Sequence, residues 1–279
     1  MERETEYFVL RRSRRGLRDV FAGAAAARRA DGVPGLEVQV EGLTRQDLSK
    51  VAAEAGILGL APIMPFKLVA PLNVTAAPAA AANVEWGIRA VGADTSTFDG
   101  SGVAVAVLDT GIDNTHPAFA GVNLVERDFT GSGNGDAHGH GTHCAGTVFG
   151  RDVGGRRIGV ARGVTKAMIG KVLGPNGGSS EKIAEAILWA VDQGAKVISM
   201  SLGIDFPGAV AQWSTSMPIE LATSKALEGY RANVLLFERL GAYVRAGGLV
   251  GDWAMFVAAA GNESQRNVNS SFEIAVSPP

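Results

Sequence analysis

The stretch Gly102–Asp113, GVAVAVLDTGID, decides the architecture. It opens with an unbroken run of valine, alanine and leucine and then meets Asp109, Thr110 and Gly111. An apolar run without alternation is what a strand needs when helices cover both faces of its sheet, the arrangement of parallel sheets. A carboxylate followed by a small turn puts the one polar group at the strand's carboxyl end, where open α/β sheets hold their ligands.

Working outward, the same apolar signature returns in KAMIGKVL (Lys166–Leu173), AKVISMSL (Ala195–Leu202) and WAMFVAAAG (Trp253–Gly261). Between the first two of these lies SSEKIAEAILWAVDQG (Ser179–Gly194). Here Ser180 is expected to cap a helix whose apolar stripe is Ile183, Ile187, Ala190 and Val191, and Gly194 to end it. Strand, helix and strand at this spacing form a right-handed crossover. A longer helical stretch, residues 218–247, separates the last two strands. Upstream, residues 6–66 read as a small α/β unit. Its strands are EYFVLR (Glu6–Arg11), LEVQV (Leu36–Val40) and ILGLAPI (Ile57–Ile63). Its helix is capped by Thr44, with Asp47 at the capping-box position and Gly56 past its end. The stretch from Pro65 to Gly87, rich in Pro and Ala and without a period, reads as a linker.

The totals exclude several functions. The 279 residues are 46% hydrophobic and 19% charged, with a net charge of −2, so nothing points to nucleic acid or an anionic membrane as partner. No apolar stretch reaches bilayer length. The single cysteine, Cys144, excludes an intramolecular disulfide. The basic run Arg11–Arg18 before an alanine-rich stretch loosely imitates a twin-arginine export signal, but Asp19 interrupts it and localisation stays open.

Four polar residues fall at the ends of the predicted strands or at the start of the next element: Asp109, His140, Ser201 and Asn262. His140 lies in HGHGTHCAG (His138–Gly146), which holds three of the chain's four histidines; the fourth is His116. His138, His140 and His143 have the H-x-H-x-x-H outline of a zinc metallohydrolase. Thr142 stands where such sites place an acidic residue before the last histidine. Cys144 reads as a small packed hydrophobe. His116 and His138 read as surface residues.

Taken together, VAVLDTGID, HGTHCAG, SLG and AAAGN, in that order, resemble the subtilisin-like serine proteases, the subtilases, from about Trp86 onward. The resemblance implies a three-layer α/β catalytic domain with a parallel sheet over residues 84–279, behind a propeptide-like α/β domain and linker over residues 1–83. It implies an insert at about 204–250, placed near the cleft rim. It also implies a serine-type endopeptidase acting on polypeptides by acyl transfer. Asp109 would orient and charge the imidazole, His140 would act as general base, and Asn262 would donate to the oxyanion. Ser201, Leu202 and Gly203 would line the substrate cleft opposite Gly177 and Gly178, with a peptide added between them as a strand. The propeptide-like domain would block that cleft as an intramolecular inhibitor. Catalysis would need no cofactor. Subtilases often bind structural calcium, but no acidic loop here is decisive. The family's secretion has no convincing signal peptide to match it.

The nucleophile is missing from this pattern. Ser270, Ser271 and Ser277 lack the GTSMA-type context, and STSMP (Ser214–Pro218) precedes Asn262 and lacks the glycine. Ser216 there reads as a helix cap with Pro218 in the first turn. The chain is therefore expected to stop before its nucleophilic serine and to be inactive as given. A non-catalytic, peptide-binding pseudoprotease is the rival reading.

Overall fold

The computed structural model describes residues 4–13, 35–70, 83–246 and 253–262. The export-like run beyond Ser13, the middle of the predicted linker and Ser270, Ser271 and Ser277 lie outside them. At the centre stands β5 (Val105–Asp109), all five of its residues buried. It pairs in parallel with β7 (Lys166–Lys171) on one side and β9 (Val197–Met200) on the other. β6 (Asn123–Asp128) and β11 (Met255–Ala258) form the two edges, in the order β11-β9-β5-β7-β6.

The uninterrupted apolar run of β5 is explained by its two covered faces. Val105 and Val107 pack with Ala145 and Phe149 of α3 (His140–Phe149), together with Phe119. Ala106 and Leu108 pack with Ile183, Ile187 and Val191 of α4 (Ser180–Asp192). The result is a three-layer α/β arrangement. The other three predicted apolar runs are β7, β9 and β11. β6 gave no such signal, because NLVERD carries Asn, Glu, Arg and Asp and is only half-buried.

The N-terminal residues form a separate antiparallel sheet, order β2-β1-β3, of β1 (Thr5–Arg12), β2 (Leu36–Leu43) and β3 (Ile57–Pro62). Helix α1 (Arg45–Ala52) has the expected capping box, the Asp47 carboxylate accepting the Thr44 N–H and hydroxyl. β1 alternates. Val9 joins Leu43 and Val51 under α1, while Phe8 and Leu10 join the same apolar cluster as Leu108 and Ile187. The small sheet and the parallel sheet thus share one core.

Helix α2 (Trp86–Ala90) enters the larger unit. The predicted insert holds two helices, α5 (Phe206–Ser214) and α6 (Ile219–Arg245). Helix α6 packs on both α5 and β3. Asn233 Nδ2 donates to the Pro62 carbonyl at 2.9 Å, an Arg239 guanidinium N–H donates to that of Leu58 at 2.7 Å, and Leu236 lies over Gly59. No helix among the described residues is long and apolar enough to cross a membrane.

Three local expectations are corrected. The predicted linker contains a strand, β4 (Pro65–Leu68), paired on both edges. Ser180 is not the cap of α4; Ser179 holds that position, and the buried Ser180 hydroxyl accepts the Met64 N–H at 3.0 Å. Ser216 does not cap α6, which starts after Pro218; its hydroxyl donates to the Trp213 carbonyl and closes α5. For the two serines, a contact from a distant segment or from the preceding helix claims the group that local sequence assigned to a cap; for β4, two distant edges claim a stretch read as a linker.

Leu236, 1% exposed, joins α6 to the shared core. Leu236→Ala should cost about 2–5 kcal/mol, through lost burial and the cavity left behind, in urea unfolding followed by circular dichroism. A cost near zero would show that α6 is not anchored there.

Candidate active site

Asp109 ends β5 fully buried, so its charge requires a partner within the protein. Two groups meet Oδ1. The Thr110 N–H donates at 2.7 Å, and His140 Nδ1 lies at 2.8 Å. His140 is the first residue of α3, and Gly139 before it has the left-handed φ of +89° that lets the chain turn into the helix. The imidazole reaches the carboxylate because the two loops touch. A Cβ on Gly141 would stand 2.2 Å from the Gly111 carbonyl oxygen, so position 141 tolerates glycine alone.

With Nδ1 bonded to the Asp109 carboxylate, that nitrogen carries a proton and Nε2 is the ring nitrogen that can gain or lose one. The hydrogen bond to Asp109, and after it Cys144, push the His140 pKa up to about 10. Cys144 follows one helical turn later, its Sγ 3.7 Å from Nδ1, 3.9 Å from Nε2 and 3.5 Å from the Ser201 hydroxyl. The thiol expected to be a packing group therefore lies against the imidazole.

The three-histidine outline does not come together. His138 and His143 are exposed, and among the described residues the only group of histidine, cysteine and acidic side chains whose donor atoms converge is Asp109, His140 and Cys144. The zinc reading of His138, His140 and His143 therefore finds no support among the described residues: the donors that converge on His140 are those of Asp109 and Cys144. His116 is also exposed, its Nδ1 accepting the Ala118 N–H.

The residues expected to line a cleft flank an extended segment, and that segment is the chain's own. β4 lies between β10 (Leu202–Ile204) and β8 (Gly178–Ser179), antiparallel to both. Leu68 is opposite Leu202, Lys67 opposite Gly203, and Phe66 lies between Ile204 and Gly178. The Val69 N–H donates to the Ser201 carbonyl at 3.2 Å, continuing the ladder. Gly177 has φ of +80°, and a Cβ there would stand 2.7 Å from the Phe66 carbonyl oxygen. Just past the strand, Asn262 Nδ2 donates to the Ala70 carbonyl at 2.8 Å. Sequence reasoning missed β4 because PFKLV is short and sits between prolines in an alanine-rich stretch. It also missed Asp136, whose only local signal is a carboxylate in a glycine-rich loop ahead of a helix.

Comparison with known proteins places the chain in a family. The sequence model of the subtilase family (Peptidase_S8) matches residues 100–276. The chain is 32% identical over 179 residues to the minor extracellular protease Vpr of Bacillus subtilis, covering 59% of this chain and 20% of that protein. It is 41% identical over 113 residues to thermitase of Thermoactinomyces vulgaris, covering 38% of this chain and 39% of that one. In fold it is similar to the crystal structure of fervidolysin from Fervidobacterium pennivorans, a keratinolytic enzyme related to subtilisin. That match has a TM-score of 0.54 and 21% identity, and covers 93% of this chain and 40% of that one. The chain thus spans well under half the length of these three proteins.

Asp109→Asn should lower the His140 titration midpoint from about 10 toward the ordinary 6.5, followed by NMR of the imidazole ring protons. The sign carries over to stability. A folded-state value above the ordinary one gives a contribution that is full below about pH 6.5 and is lost as pH rises through about 10. The variant should lose that alkaline dependence; an unchanged midpoint would place the source of the shift elsewhere.

Proposed function

The chain belongs to the subtilase family, and from that premise we propose that it carries the base and oxyanion half of a serine endopeptidase acting on polypeptides. The observation that carries this reading is a peptide carbonyl, that of Ala70, on the Asn262 amide, in a chain whose adjoining strand β4 runs along the same cleft as the Asp109–His140 pair. In this reading the neutral form of His140 takes the proton of a serine hydroxyl on Nε2 as the hydroxyl oxygen attacks the carbonyl carbon. Asp109 holds the ring through Nδ1 and stabilises the imidazolium that forms. Asn262 Nδ2 donates to the oxygen as it gains negative charge. Nε2–H then protonates the leaving amine, and water repeats the sequence on the acyl-enzyme. No described residue supplies the serine, since the side chains bonded to His140 are Asp109 and Cys144.

β4 supports an inhibitory role for the N-terminal unit. It presents main-chain groups to Ser201, Leu202 and Gly203 on one side and to Gly178 on the other, as an added peptide strand would. The boundary near residue 83 and the assignment of residues 1–83 as a propeptide belong to the same proposal. The chemistry needs no cofactor. Asp109, His140 and Cys144 do not suit calcium, which takes six to eight oxygen ligands, and no step is routed through it. A strand held between β8 and β10 would equally suit a second reading, a pseudoprotease that binds peptides without cleaving them.

A serine-directed fluorophosphonate applied to the full-length protein separates the two. The endopeptidase reading expects labelling that His140→Ala abolishes. It also expects turnover to fall by about a hundredfold to a thousandfold in Asn262→Ala, the range for losing one oxyanion donor. A full-length protein that binds peptide in the cleft but takes no label is the pseudoprotease.

A further inference from the structure

We propose that Asp136 is a positioning residue for the Asp109–His140 pair: its carboxylate clasps the loop after β5 to the loop before α3 and so fixes the imidazole on Asp109. The inference rests on the reading of that pair as the base of the site, but its geometry stands apart from any serine.

Five donors converge on this one carboxylate. Oδ1 accepts the Thr110 hydroxyl at 2.9 Å, the Gly139 N–H at 2.9 Å and the His138 N–H at 3.1 Å. Oδ2 accepts the Thr142 N–H at 2.9 Å and the Thr142 hydroxyl at 2.6 Å. The two threonines extend the clasp. Thr110 Oγ1 accepts the Gly141 N–H at 2.9 Å, and Thr142 Oγ1 accepts the Asp113 N–H at 2.9 Å. Thr110 is the residue after Asp109, and Gly139 and Gly141 are the residues on either side of His140. Both members of the pair are thereby held through their immediate neighbours, by bonds that all lead back to Asp136.

The contact surfaces allow no slack. A Cβ on Gly111 would lie 2.1 Å from the Gly135 carbonyl oxygen, which also accepts from the buried Lys171 ammonium at 3.2 Å. The donors hold the Asp136 carboxyl down at about 2, so it stays ionised wherever His140 titrates. A helix cap alone would need only the N–H bonds at the start of α3. The bridge through Thr110 to β5 is the additional feature, and it ties the carboxylate to imidazole geometry, where displacements near 1 Å matter.

Three variants of the whole chain test this: Asp136→Asn, Thr110→Val and Thr110→Ser. The readouts are the hydrogen-bonded Nδ1 proton of His140 in NMR of the 15N-labelled protein, the His140 titration midpoint, and the thermal melt. Asparagine is isosteric, but its NH2 must face groups that themselves donate. Asp136→Asn should therefore lose the Nδ1 proton resonance and lower the midpoint by about one pH unit or more, a tenfold loss of proton affinity. Thr110→Val removes the bridge while leaving Asp136 on the start of α3, and should do the same. Thr110→Ser keeps the hydroxyl and should restore both signals. If Asp136→Asn and Thr110→Val lower only the melt, Asp136 is a helix cap and the proposal is overturned. If Asp136→Asn does not fold, the contrast between valine and serine at 110 decides. A full-length protein with these signals intact but no fluorophosphonate label would refute the endopeptidase reading and leave this one standing.

Discussion

A fully buried carboxylate at the end of the central strand is the constraint on which the rest depends. Taken out of water alone, the Asp109 charge would cost several kcal/mol, and only a nearby donor with good geometry offsets that. The imidazole of His140 meets the requirement, but it belongs to another element, so two loops must close to backbone contact. That closure accounts for glycine at 111 and 141, for the left-handed turn at Gly139, and for a second carboxylate, Asp136, drawing donors from both loops. The raised affinity of His140 for its proton follows from the same contact. Stability and chemistry are here one arrangement of charges.

The cleft is organised by a different force. β8 and β10 are short, two and three residues, and face each other across a gap that neither could close alone. β4 fills it and satisfies main-chain groups on both sides. What delivers β4 is the N-terminal sheet, whose Phe8 and Leu10 share an apolar cluster with Leu236, Leu240 and the central sheet. The Phe66 ring stacks edge-on against Phe237 of α6 at 6.0 Å, tying the strand to the helix that carries the small unit. Occupancy of the cleft and docking of the small unit are therefore coupled through one core, which is the physical basis for reading the unit as an inhibitor.

Much of this was legible in the residues. Continuous apolar runs marked β5, β7, β9 and β11 as strands; β5 is covered on both faces, whereas β11 lies at the edge with Met255 and Val257 exposed. Asp109 and His140 stood out because a carboxylate at a strand end and a histidine between glycines are local signals. The Thr44–Asp47 box was equally local, and it formed. What stayed hidden was whatever depended on a distant partner. Ser180 looks like a cap until Met64 arrives from 116 positions away to donate to its hydroxyl. Pro65–Leu68 looks like a linker until two edges exist for it to join. The three histidines look like a ligand set until the helix start turns two of them to solvent.

By itself, then, the sequence determined the layered α/β class, the strand that carries the carboxylate and the histidine that must answer it, since hydrophobic pattern and turn chemistry act over a few residues. Only the tertiary structure decided which strand lies in the cleft, what the long helix α6 holds, and that Asp136 anchors the loops on either side of the pair. Those outcomes are set by main-chain donors and acceptors that find partners only when segments far apart in the chain meet, and a lone segment carries no record of the partner it lacks.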